Sequence, residues 1–180
     1  MGIIHTFASS LREDRRGQQS PLLLNKGMDR THIRSLAEEG FTRPDLFLVS
    51  IDISPKNEIT VTVDGMKPVA LEDCIAISRS IEHQLDRDKE DFSLTVTSSG
   101  MGNPFVVWRQ YEKNAGREVE VVSRDGVKQS GILYIKSEGI IELRWEEKVK
   151  IEGTKKKEIV ERNRVYPLDE VASTRVIIQF

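Results

Sequence analysis

Hydrophobic positions along the chain switch between two periods, and each switch marks an element. Over residues 29–39, Ile33, Leu36 and Ala37 recur at helical spacing behind Asp29 and Thr31, either of which can cap a helix, and Gly40 closes the run. The period then drops to two. Phe47, Val49, Ile51 and Ile53 alternate with Leu48, Ser50 and Asp52; after a Ser54-Pro55-Lys56-Asn57 turn, Ile59, Val61 and Val63 alternate with Thr60 and Thr62. These runs predict a hairpin with one dry face. Leu71, Cys74, Ile75, Ser78, Ile81 and Leu85 return to helical spacing, with Glu72 and Asp73 in the first turn, where the positive end of the helix dipole favours acids. Phe92, Leu94 and Val96 against Ser93, Thr95 and Thr97 form one more strand. Helix, strand, strand, helix, strand predicts a two-layer α/β unit with its helices packed on the dry face of the sheet.

The last of these strands breaks into Ser98-Ser99-Gly100-Met101-Gly102-Asn103-Pro104-Phe105. Hydroxyls, two glycines, an Asn and a Pro are loop chemistry, because they tolerate unusual dihedrals and bond back to nearby backbone. After Pro104 a brief helix carries Trp108 and Tyr111 and ends at Gly116. Short strands follow: one with Val119 and Val121, one over residues 132–135 behind an Asp125-Gly126 hairpin signal, and one over residues 140–145. A charged loop spans residues 151–157, Ile159, Val160 and Val165 belong to a fourth strand, and Val176, Ile178 and Phe180 to a fifth. Such a series implies a small barrel or sandwich, and periodicity alone does not choose between them. The expected organisation is a disordered extension at residues 1–27, an α/β domain at 28–99, a junction loop and short helix at 100–115, and an all-β domain at 116–180. Small, polar residues at such a junction expose backbone, so residues 98–105 are the candidate partner-binding site.

Charge sharpens this division. The whole chain of 180 residues carries a formal net charge of −2, but residues 28–99 hold eight basic and fourteen acidic groups, whereas residues 112–180 hold fourteen and thirteen. An acidic first half repels phosphate and attracts basic protein. An acidic concavity beside residues 98–104 is the arrangement expected for protein docking. A single cysteine, Cys74, excludes an intramolecular disulfide and a cysteine zinc cage, and suits a reducing compartment. No apolar run reaches the roughly 20 residues that span a bilayer, so a cytoplasmic chain with no membrane partner is expected.

The loop also carries a likeness. A strand ending in Ser98-Ser99, a glycine-rich turn and Phe105 after Pro104 resembles the signature of the bacterial RimP family of ribosome maturation factors. The resemblance extends to Leu71-Glu72-Asp73-Cys74 with Ser78-Arg79-Ser80-Ile81-Glu82, and to Gly116-Arg117-Glu118-Val119-Glu120-Val121; together it covers residues 28–180. The commoner family pattern places Pro between Ser and Gly and an Asp-Arg pair before the last Pro. Here Ser99 runs directly into Gly100, and Gly102-Asn103 stand where the charges would be, which leaves the loop a backbone or shape role. The resemblance implies an α+β fold in which the α/β domain precedes a small Sm-like all-β barrel. It also implies an assembly chaperone without catalysis, acting as a monomer. Such a factor docks on the immature small ribosomal subunit near the decoding region and helps a basic ribosomal protein and neighbouring ribosomal RNA reach their final arrangement.

Catalytic constellations are missing from the sequence. His5, His32 and His83 show no metal-ligand spacing, Ser98-Ser99-Gly100 lacks the first glycine of a nucleophile elbow, and Cys74 falls in an apolar helical stripe. Gly100-x-Gly102 after a strand invites a phosphate cradle, but Phe105 occupies the slot of the third glycine and no P-loop lysine follows, so no cofactor is expected. Lys155, Lys156 and Lys157 are candidate RNA contacts, diluted by Glu158 and Glu161. Two alternatives stay open: a free-standing RNA-binding protein that uses the Sm-like barrel, and a nucleotide-using enzyme built on the glycine loop.

Overall fold

The computed structural model describes residues 29–86, 91–150 and 157–178. The extension at residues 1–27 and the lysines Lys155 and Lys156 lie outside the described residues.

Helix α1 (Arg30–Glu39) buries Ile33, Leu36 and Ala37, the stripe its spacing predicts. Asp29 stands at the N-cap without a side-chain cap bond, and Thr31 lies inside the helix. Gly40 ends α1, but in a right-handed conformation (φ −79°) rather than a left-handed cap. Its missing side chain serves packing: a Cβ there would meet Ile77 Cα at 2.7 Å. Strands β1 (Leu46–Ile53) and β2 (Glu58–Gly65) pair antiparallel, and Asn57 takes the left-handed conformation (φ 59°) that their tight turn requires.

Helix α2 (Leu71–Glu82) then crosses over to β3 (Ser93–Ser98), which pairs with β2 in parallel. A parallel neighbour needs such a crossover, so α2 must lie on one face of the sheet. The stripe expected on α2 is turned. Leu71 and Ile75 point to solvent, whereas Ile77 and Ile81 are fully buried and Cys74 is partly buried against them. Leu71, the first apolar residue of the run, belongs to the outer face of the first turn. Asp73 turns inward there. Its carboxylate accepts bonds from the Thr42 hydroxyl, the Ala70 amide (2.9 Å) and Arg43 (3.0 Å), which tie the start of α2 to the α1–β1 turn. Burial and the Asp73 charge push the Cys74 thiol up, which suits a packing role.

The second half has its own apolar core. Helix α3 (Trp108–Lys113) leads into β4 (Glu118–Ser123), β5 (Lys128–Ser137), β6 (Ile140–Lys150), β7 (Lys157–Pro167) and, after a single 3-10 turn, β8 (Val171–Val176). The Asp125-Gly126 signal marks the β4–β5 turn, with Gly126 at φ +84°. The last strand ends at Val176, with Thr174 facing inward opposite Val121; Ile178 follows the strand, and Phe180 lies outside the described residues. Strand order is β7-β6-β5-β4-β8, and among the described residues the ladder stays open, β7 and β8 each having one neighbour. Val119, Val121, Leu133, Ile141, Leu143 and Tyr166 fill the core, with Phe105 and Trp108 packed against it. No helix of the described residues is long and apolar enough to cross a membrane.

Candidate functional site

The candidate loop leaves β3 at Ser98 and is anchored at both ends. The Ser99 amide donates to the Val63 carbonyl at 2.8 Å, and the Phe105 amide donates to the Thr174 carbonyl at 2.8 Å. Phe105 packs edge-on against Tyr111, 5.0 Å between centroids, so its side chain belongs to the second core rather than to the surface. Between the anchors the chain is open. Met101 is 79% exposed, Gly102 takes φ +86°, and Gly100, Asn103 and Pro104 lie at the surface. The eight residues thus form one continuous feature, with an exposed tip at residues 100–104.

Helix α3 brackets this loop to both halves. Gln110, 3% exposed, donates from Nε2 to Ser99 Oγ (3.0 Å) and accepts at Oε1 from the Val106 and Val107 amides (2.7 and 3.3 Å). Gln110 thereby caps the start of α3 and fixes the loop with the same side chain. Lys113 Nζ reaches Asp64 Oδ1 at the end of β2 at 2.6 Å, and Arg109 lies over the Phe47 ring, 4.8 Å from its centroid. Asn114 and Arg117 extend the network: Asn114 Nδ2 donates to the Gln110 carbonyl (2.7 Å) and Arg117 to Asn114 Oδ1 (2.9 Å). Asp64, Gln110, Lys113 and Asn114 were not singled out in the sequence, and Arg117 only as part of the segment of resemblance at residues 116–121. Only Gln110, at the third helical position after a non-helical residue, carries a local signal.

The concavity under the loop is small, about 50 Å³, and it is not acidic. Its single carboxylate, Asp64, is bound by Lys113, and Arg117 lies alongside. Backbone and shape are what the tip can offer a partner. Trp108 stacks on Tyr111 (5.7 Å, 23°) and the Tyr111 hydroxyl donates to Thr174, so both rings seal the second core. Trp145 is partly buried in the same core. Of the candidate lysines, Lys157 opens β7 and is exposed, in register with Lys150. Among the described residues no cluster of His, Cys, Asp or Glu is arranged to hold a metal ion.

No protein-family model matches the chain. Comparison with curated proteins is decisive. The chain is 38% identical over 149 residues to the ribosome maturation factor RimP of Christiangramia forsetii, an alignment that spans 82% of this chain and 97% of that protein. The chain belongs to the RimP family. A RimP of Flavobacterium psychrophilum is 35% identical over 149 residues, 82% of this chain and 96% of that protein, and one from Porphyromonas gingivalis 37% identical over 130 residues, 72% and 86%. All three carry the name ribosome maturation factor, which describes a process in assembly rather than a reaction. In RimP terms, two of the segments that carried the resemblance share the first core and the third belongs to the second. The strand with Ser98 pairs beside β2, the helix with Asp73 packs over that sheet, and Gly116 to β4 continues from the α3 bracket.

Proposed function

We propose that the chain is a non-enzymatic maturation factor of the small ribosomal subunit, which binds the immature subunit and a basic ribosomal protein together with neighbouring ribosomal RNA. The observation that carries this is the near full-length identity to ribosome maturation factors. Charge supports the protein partner. Among described residues 29–98, nine exposed acidic side chains face five exposed basic ones, so the first half steers cations. In this reading residues 28–99 and 116–180 are two domains, the β4–β8 sheet is an Sm-like barrel, and residues 98–105 fix their docking on the subunit. The factor works as a cytoplasmic monomer and needs binding energy only.

Co-sedimentation tests it. The purified chain should pellet with immature small subunits, more at low salt than at high, because the steering is electrostatic. Failure to associate at low salt removes the proposal.

A further inference from the structure

The face of β5, β6 and β7 that turns away from the second core holds a built arrangement of its own. Strand register places Tyr134 opposite Glu142 and Ile132 opposite Arg144, with Asn163 beyond Arg144 on β7. Glu142 is only 2% exposed although it faces away from the apolar core. Lys136 (2.8 Å), Arg144 (3.1 Å) and Asn163 (3.0 Å) all close over its carboxylate. Three donors on one buried acceptor fix a guanidinium that would otherwise be a mobile surface group. The Arg144 guanidinium consequently lies over the Tyr134 ring, 4.3 Å from its centroid, and about half of the Arg144 side chain remains exposed. A groove of about 570 Å³ opens beside this pair, lined also by Asn163, Glu146 and Glu161.

Beyond Ile132, β5 no longer pairs with β6. It stays paired with β4 alone, Gly131 lying so near β6 that a Cβ would meet the Arg144 carbonyl oxygen at 2.6 Å, whereas β6 and β7 continue in register as a two-stranded ribbon as far as Lys150 and Lys157. Alternation sorts the ribbon's charges. Lys148, Lys150 and Lys157 continue the face of Arg144; the opposite face holds Glu147, Glu158 and Arg162. On the platform face Lys136, Arg144, Lys148, Lys150 and Lys157 outnumber Glu142, Glu146 and Glu161, and Glu142 is already enclosed.

We propose that this face binds single-stranded RNA. Bases stack on the Tyr134–Arg144 platform and present their edges to Asn163, while Lys148, Lys150 and Lys157 hold phosphates along the ribbon. The surplus of cations disfavours a basic peptide, and a stacking platform needs an unpaired base, which disfavours duplex. The inference rests on the RNA part of the proposed function and adds the surface, the strandedness and the residues.

Fluorescence anisotropy of the full chain with a labelled single-stranded RNA of about a dozen nucleotides tests it. Tyr134→Ala should weaken binding about tenfold or more, as loss of a base stack does, and Tyr134→Phe should restore it. Replacing both Lys148 and Lys150 with Gln should lower the salt slope by about 1.4, at roughly 0.7 per phosphate on a single strand. Lys148 and Lys150 are exposed, so the double lysine variant should keep its melting temperature, and Tyr134→Phe, which keeps the ring under Arg144, should melt with the unmodified chain. Absence of RNA binding by the unmodified chain, unchanged affinity in Tyr134→Ala, or tighter binding of duplex overturns the inference. So does displacement of the RNA by a lysine-rich peptide whose own binding depends on Glu146 and Glu161. Because free oligonucleotide is used, loss of RNA binding with subunit association retained defeats this inference alone. Loss of subunit association by the unmodified chain defeats the proposed function instead.

Discussion

Lys113 Nζ lies 2.6 Å from Asp64 Oδ1, and this pair joins the short helix of the second half to the end of a central strand in the first. Asp64 sits at the rim of one core and α3 at the rim of the other, so the pair bears on how the loop between them is held. The Asp64 side chain is 9% exposed and that of Lys113 24%. Removing one partner of a buried pair costs about 3–5 kcal/mol, and the partial exposure of Lys113 lowers that to about 1–3 kcal/mol. Lys113→Met and Asp64→Asn should each lose stability in that range in urea. The double variant should lose less than their sum, because the two changes remove the same contact.

Helix α2 separates two readings of its stripe. Ile77 is fully buried and Leu71 is 71% exposed. Ile77→Ala should therefore cost about 2–5 kcal/mol, and Leu71→Ala no more than about 0.5 kcal/mol. Equal effects in thermal melts would restore the face counted from Leu71.

That difference shows what was legible and what was not. Period-2 and period-3.6 runs located every helix and strand of the first half, because each has an apolar face that must be buried. The same period could not say which way α2 turns, since Leu71 and Ile75 satisfy helical spacing as well as Ile77 and Ile81 do. The parallel pairing of β3 follows from its crossover and needs no sequence signal. In the candidate site the loop was legible from its glycines and hydroxyls. Its supports were not: Asp64, Lys113 and Gln110 are ordinary polar residues whose roles come from tertiary contact between segments far apart in sequence. Trp108, Tyr111 and Trp145 carry no periodic signal that says what they pack on, and the structure sets all three in or against the second core.

Gly40 carries a packing role that no turn signal reveals. A Cβ would meet Ile77 Cα at 2.7 Å and Ser80 Cβ at 2.9 Å, so α1 and α2 would have to separate. Gly40→Ala should cost about 1–3 kcal/mol, as overpacking does, even though its φ of −79° is open to any residue. If the loss came only from backbone freedom, alanine would stabilise instead. Denaturant midpoints of the two proteins decide.

Glu142 links stability to pH. Arg144 first, then Lys136 and Asn163, hold its carboxyl down from the ordinary 4.5 to about 2. A carboxylate with a lowered folded pKa adds stability that is fully present above its unfolded value and is lost as pH falls through the folded one. The chain should thus lose stability between about pH 4.5 and about pH 2 on this account. Asp73, held low chiefly by the Thr42 hydroxyl and then the Ala70 amide, adds to the loss in the same direction. Glu142→Gln should be less stable than the unmodified chain at pH 7 and show a shallower decline in acid. Parallel declines would mean that Glu142 contributes nothing to the slope.

The tip of the loop should matter to binding and little to folding. Met101 is 79% exposed and touches neither core, so Met101→Glu should leave the melting temperature within a degree or so, as surface changes do. Gly102 is different: at φ +86° an alanine is strained, and Gly102→Ala should cost roughly 1 kcal/mol. If residues 98–105 dock on the immature subunit, an added charge at Met101 meets a desolvated surface or nearby phosphate. Association measured by sedimentation should then fall about tenfold, whereas a buried-core variant such as Ile77→Ala should lower association only in proportion to the fraction unfolded. A Met101→Glu protein that sediments like the unmodified chain would reduce the loop to a connection between the two sheets, and leave the acidic surface to account for docking.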